Sequence, residues 1–169
     1  MEKLTFDNVK PTDIDDVMFI EQHDFSADEA ASRESMIERI ENTPDTFLVA
    51  RNENGRVVGF IASAGSSERY LTDDFFEHTR KNLPTDKFLE ITSLAIHPDY
   101  QGLGIGKKLL SNLTEVAKAQ HRLGIGLTCH DYLVPYYEAH GFVDEGRSAS
   151  QLAGEEWYNM VLEFEKNAQ

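Results

Sequence analysis

The sequence predicts a mixed α/β domain, and three observations carry that expectation. Short apolar runs alternate with helical spacings along the whole chain, an Asn-Gly pair separates two β-rich runs, and a strand apolar on both faces leads into a glycine-rich loop. The 169 residues suffice for one domain, 1–169, with its own core. At 40% hydrophobic and 10% aromatic residues the chain folds, so its charge is a surface property. Thirty acidic against sixteen basic residues leave a net charge of −14, the wrong sign for nucleic acid or an anionic membrane and the right one for a cation.

Leu4, Phe6 and Val9 mark a first strand. After Pro11, Thr12 or Asp13 caps a helix whose Ile14, Val17 and Met18 share a face. Ser26 and Glu29 have capping-box spacing and predict the start of a second helix, with Met36, Ile37 and Ile40 as its apolar stripe and Pro44 as its limit. Residues 46–50 and 57–62 flank Asn52-Glu53-Asn54-Gly55 and form a hairpin. From 65 to 86 the pattern is irregular, with a short helix around 73–80, and the insertion is either a substrate lid or a surface loop.

Residues 89–96 read as a central strand buried on both sides, ended by Pro98 and Asp99. Ile105, Leu109, Leu113 and Val116 continue as a helix to about Gln120. Residues 123–129 give a strand, 134–140 a short helix stopped by Gly141, and 157–164 a last strand. One cysteine, Cys129, excludes an internal disulfide framework and a cysteine-based metal cluster. The opening residues lack the apolar stretch of a signal peptide and no window approaches a membrane span, so a cytoplasmic protein without a membrane partner is expected. Nothing in the pattern fixes an oligomeric state.

Gln101-Gly102-Leu103-Gly104-Ile105-Gly106-Lys107 stands where backbone amides and the positive end of a helix dipole converge. Its glycines admit a close approach, and Lys107 or Lys108 adds charge, so the loop suits a pyrophosphate; a plain connecting turn is the alternative. A P-loop is excluded, because Gln101 and Lys108 occupy the positions of its first glycine and its hydroxyl residue. The dinucleotide glycine pattern fails as well, its third glycine falling on Lys107 or Leu109.

What does fit is Q-x-x-G-x-G at Gln101, Gly104 and Gly106, directly after Leu94-Ala95-Ile96-His97-Pro98. Downstream stands Thr128-Cys129-His130-Asp131-Tyr132-Leu133-Val134-Pro135-Tyr136-Tyr137-Glu138-Ala139-His140-Gly141-Phe142. With these two blocks the chain resembles the GNAT superfamily of N-acetyltransferases. The resemblance implies a mixed, mostly antiparallel sheet flanked by helices, with splayed central strands. It implies acetyl-CoA as the acetyl-donor cosubstrate, with the amides from Gln101 through Gly102, Leu103, Gly104, Ile105 and Gly106 to Lys107 on the pyrophosphate. Leu94, Ala95 and Ile96 would pair with the pantetheine arm, and Tyr136 would pack beside the cofactor. A closer resemblance, to serotonin (aralkylamine) N-acetyltransferases, covers residues 47–142 through Gly55-Arg56-Val57-Val58 with Phe60-Ile61, Leu94-Ala95-Ile96-His97, and Leu133-Val134-Pro135-Tyr136-Tyr137.

Acetyl transfer to an amine needs a free lone pair, yet alkylamines are protonated at neutral pH. Glu90 interrupts the apolar central strand and is the candidate general base, acting through a water, unless it sits on a wet face or in a structural ion pair. The serotonin acetyltransferases carry two histidines where Glu90 and Thr92 stand, so their relay does not transfer. Tyr137 matches the family's tyrosine acid for the leaving thiolate. Phe25, Tyr70 and Leu71, with Phe75 and Phe76, lie in segments that wall an amine pocket or pack in the core. Asp73, Asp74 and Glu77 attract a cation or face water. Cys129 reads as an inert buried thiol, and His97, His130 and His140, not spaced as a metal set, read as caps or surface contacts. The expectation is therefore acetylation of a small primary amine, an arylalkylamine foremost. A polyamine, an amino sugar or a protein N-terminus is the alternative acceptor, and a non-catalytic acyl-CoA sensor the alternative class.

Overall fold

Seven strands carry the architecture in the computed structural model, which describes residues 2–165. They are β1 (Thr5–Asn8), β2 (Phe47–Arg51), β3 (Val57–Ser66), β4 (Phe88–Ile96), β5 (Gly124–Cys129), β6 (Val143–Arg147) and β7 (Tyr158–Glu163), paired in the order β1-β2-β3-β4-β5-β7-β6. Every pairing is antiparallel except β4 with β5. The helices are α1 (Ile14–Asp24), α2 (Arg33–Asn42), α3 (Asp74–Glu77), α4 (Ile105–Ala119) and α5 (Val134–Glu138).

Each sheet face has its own core. On one, α4 packs over β2 to β5 and buries Leu109 and Leu113 against Ile61, Leu89 and Ile125. On the other, α1 and α2 bring Val17, Ile20 and Met36 onto Phe47 and Phe60. The β2–β3 hairpin turns where expected: Gly55 takes φ +80°, and Asn52 Oδ1 accepts from the amides of Asn54 and Arg56 at 3.0 Å.

Three local expectations need correction. Ser26 and Glu29 do not open α2; they form a separate turn, Glu29 N donating to Ser26 O at 3.0 Å, and Ser32 caps the helix by accepting from Ser35 N at 3.1 Å. Ile37 is 37% exposed, leaving Met36 and Ile40 as the apolar stripe. The sequence reading also missed β6, an edge strand whose side chains are mostly exposed on both faces.

Two irregularities in β4 position the site. Ser93 pairs with Ala62 and Ile91 with Ser63, so Thr92 is an extra residue, a β-bulge. The bulge exchanges faces: Leu89 and Ile91 point to the α4 side before it, Leu94 and Ile96 after it. Glu90 and Thr92 consequently face the α1–α2 side. Pairing between β4 and β5 also stops at Glu90–Gly126, although β5 runs on against β7 to Cys129. Beyond that point the two central strands part.

Candidate active site

The parted strands open into two cavities. The first, about 490 Å³, lies along the free edge of β4 and the N-terminus of α4. Gly104 caps α4 at φ +81°, and the first bond closing the helix runs from Lys108 N to Gly104 O at 3.1 Å. The amides of residues 105–107 therefore have no partner within the helix and point outward with the dipole. A Cβ at Gly102 or Gly104 would meet nothing within 4 Å, so the space above the loop is open. Leu94, Ala95, Ile96, Gln101, Gly102, Gly104, Ile105, Gly106, Lys107 and Tyr136 all line this cleft. Leu103 does not; its side chain is 66% exposed. The Tyr136 hydroxyl lies 2.9 Å from where a Cβ on Gly106 would stand, so only glycine lets the ring lie over the start of the helix.

His97 N donates to Val58 O across β3, so alternation turns the Leu94 and Ile96 amides toward the gap. Asp24 Oδ2 accepts from Ile96 N at 2.9 Å. Gln101 Nε2 completes the corner, donating to Ile96 O at 3.3 Å and Asp24 Oδ1 at 3.4 Å.

The second cavity, about 150 Å³, lies between the parted strands. Phe25, Phe76, Tyr132 and Trp157 supply aromatic walls, and Glu21, Asp24 and Glu29 supply carboxylates. Asp24, Leu94, Leu133 and Tyr137 line both cavities, which therefore meet at Tyr137. Of the residues expected to hold an acceptor, Phe25 is here, while Tyr70 and Leu71 line a separate pocket with Ser148 and Ser150. Phe76 reaches the cavity and Phe75 does not. Asp73 is taken up by the chain itself, accepting from Ser150 Oγ and from Gln151 N.

Glu90 is fully buried, and neither carboxyl oxygen has a hydrogen-bond partner among the described residues. It is sealed under Gly126, where a Cβ would overlap it, and does not line either cavity. Burial pushes it up to about 9 against the weaker pull of Arg69, so it is a neutral acid at pH 7. Thr128 and Asn159, paired across β5 and β7 on the same sheet face as Glu90, also carry unpartnered buried oxygens. Arg69 is itself anchored by Glu145 at 2.7 Å and Glu163 at 3.1 Å.

Burial likewise raises the Tyr137 phenol, whose ring meets Tyr136 and Phe142 edge-on at 5.1 and 5.6 Å. Cys129 is pushed up to about 12 and stays a thiol. Burial raises Glu21, whose Oε2 accepts from Ala31 N at 2.8 Å, with Arg39 opposing. His97 is a cap, its Nδ1 accepting from Asp99 N, and His140 contacts Tyr136 O at 2.8 Å. His130 departs from the expectation for the histidines: it makes no cap bond, lines the second cavity and places Nε2 3.2 Å from Glu29 Oε2. Among the described residues no group of three or more His, Cys, Asp or Glu could hold a metal, and no helix is long and apolar enough to cross a membrane.

The site thus offers an anion cradle and an acidic, aromatic cavity that open on each other. A family profile described as "Acetyltransferase (GNAT) family" matches residues 14–142. No curated protein gives a significant match. Among solved structures, Ard1 from Thermoplasma volcanium is 19% identical over 96% of this chain and 99% of its own, with a TM-score of 0.73. The yncA protein from Salmonella typhimurium, solved with its cofactor acetyl-CoA, is 20% identical over 99% of this chain and 97% of its own, with a TM-score of 0.71. Arabidopsis thaliana Naa50, in complex with the bisubstrate analogue CoA-Ac-MVNAL, is 16% identical over 95% and 99%, with a TM-score of 0.70. At these identities the likeness is one of fold.

Proposed function

The chain belongs to the acetyltransferase (GNAT) family, and from that premise we propose that it transfers acetyl from acetyl-CoA to the primary amine of a small arylalkylamine by direct attack. The observation that carries the reading is the junction at Leu94 and Tyr137, where the anion cradle and the acidic cavity meet between two parted strands.

The donor's pyrophosphate rests on the amides of residues 105–107 with Lys107 beside it, and its pantetheine arm runs along the Leu94–Ile96 edge. The cleft fits that role because Gly102 and Gly104 keep positive φ and leave the space over the loop clear. Acetyl-CoA in the structural neighbour from Salmonella agrees with this donor. The acceptor's ring packs among Phe25, Phe76, Tyr132 and Trp157, and its ammonium is drawn by Asp24 and Glu29. Direct attack is favoured because Cys129, the one thiol lining the cavity, is pushed up to about 12 and stays protonated.

Tyr137 gives its phenolic proton to the departing thiolate from the junction of the two cavities; burial keeps the phenol protonated in the resting state and makes it a weaker acid. Glu90, the base expected from the sequence, lines neither cavity, and its burial has a specific consequence. Raised to about 9, it accepts a proton only as the pH approaches that value. A base for neutral pH has to come from the lining of the cavity itself.

The test is thiol release from acetyl-CoA with tryptamine, phenethylamine, spermidine, glucosamine and a short peptide. Release with the two aromatic amines is expected. Release only with spermidine, glucosamine or the peptide keeps the family and overturns the acceptor; acetyl-CoA binding without release to any amine identifies a sensor.

A further inference from the structure

The geometry points to His130, held by Glu29, as the group that takes the acceptor's ammonium proton at neutral pH, an inference that rests on the acetyl-transfer reading above. His130 lies at the end of β5 and Glu29 in the turn after α1, and both line the acceptor cavity. Their side chains are 16% and 15% exposed and stand 3.2 Å apart. The ring is clamped between Tyr132, stacked at 5.1 Å, and Trp157 at 4.3 Å. A histidine serving as a cap would spend a nitrogen on the adjoining backbone, and His130 makes no such bond. With the Nε2 hydrogen assigned toward Glu29, Nδ1 keeps its lone pair for a proton.

The titratable and aromatic groups that line the cavity with the ring come from four segments. Glu21 and Asp24 lie on α1 and Glu29 on the following turn; Cys129, Tyr132 and Tyr137 lie on its own strand and the helices after it; Trp157 precedes β7. No Lys or Arg lines the cavity among the described residues, but Arg39 stands behind its wall, donating to Ser93 Oγ at 3.3 Å and Phe76 O at 3.1 Å and facing Glu21. Glu90 is sealed outside the cavity and does not compete.

The protons balance. One N–H bond of the ammonium breaks and its proton passes to His130, where Glu29 offsets the new charge. The free nitrogen attacks the thioester carbonyl carbon and the C–S bond breaks. Tyr137 delivers its phenolic proton to sulfur, and the second proton, which leaves nitrogen as the amide forms, restores the phenol. The net products are amide, thiol and the proton that His130 returns to solvent.

The test follows kcat/KM against pH for the wild type, His130→Gln and Glu29→Gln, together with NMR of the histidine rings in the CoA complex titrated with phenethylamine. His130→Gln is expected to lower kcat/KM about 10²-fold at neutral pH, to remove the acid limb and to leave the acetyl-CoA KM unchanged. Glu29→Gln, which removes the carboxylate that orients the ring, is expected to cost about 10-fold in kcat/KM at neutral pH. The His130 ring resonance should shift as the amine saturates. An acid limb retained in His130→Gln, or lost instead in Glu90→Gln, overturns the assignment. So does an unmoved His130 resonance while the amine binds. A shifted resonance without thiol release from any amine supports the amine site at His130 and defeats the acetyl-transfer reading instead.

Discussion

Glu90 and Tyr137 are both buried acids held in their neutral forms, yet the physics asks different things of them. Glu90 has a folded value near 9, far above the ordinary carboxyl, so its contribution to stability is fully present below about pH 4.5 and drains away as the pH climbs to 9. The loss amounts to about 1.4 kcal/mol per pH unit across that window. Glu90→Gln, which mimics the neutral acid, should therefore melt close to the wild type near pH 5 and increasingly above it toward pH 9; thermal melts at several pH values check this. A gap that does not grow with pH would show an ionised, compensated Glu90. For Tyr137→Phe we expect kcat to fall about 10²-fold with acetyl-CoA affinity unchanged, read by steady-state kinetics and calorimetry. Glu90 was legible in the sequence because a carboxyl stands out in an apolar strand. His130 with Glu29 was not: the partners are 101 residues apart, and neither breaks its local pattern.

The glycine loop and the parted strands are the elements on which the proposed donor binding turns. Gly104 holds φ +81° at the cap of α4 with open space beside it, so Gly104→Ala brings backbone strain of about 1–2 kcal/mol and no clash. If the loop relieves that strain by turning its amides, acetyl-CoA binding should weaken about 10-fold, measured by calorimetry, while the protein stays folded; undiminished affinity would place the pyrophosphate elsewhere. Such elements were readable because glycines between a buried strand and an amphipathic helix have few other uses. The start of α2 was not, since Ser26 and Ser32 carry equivalent capping chemistry, and which one caps depends on the turn that delivers Glu29 to His130. Nor was β6, whose Val-Asp-Glu-Gly-Arg has no alternating face and is a strand through its pairing with β7. The bulge at Thr92 likewise exists only in the register of β3 on β4.

At the scale of the molecule, a net charge of −14 raises the local concentration of cations and opposes the approach of an anionic donor. Moving from low to physiological ionic strength shortens the screening length from about 30 to about 8 Å, so the KM for the amine should rise several-fold and that for acetyl-CoA should fall. Equal shifts of both would show that the surface field plays no part. The mixed sheet was legible as a whole because hairpin, buried strand, glycine loop and helix follow one another in the order the fold uses them. The cavity proposed for the acceptor was not, because its walls come from α1, the turn after it, α3, β4, β5 and the approach to β7. The measurement that bears most directly on the account is the affinity of a tryptamine–acetyl–CoA conjugate compared with CoA alone. If the two cavities join at Leu94 and Tyr137, the conjugate fills both and binds at least 10²-fold more tightly, as bridged substrates do when no ordering cost intervenes; a conjugate that binds no more tightly than CoA would contradict an acceptor site in that cavity.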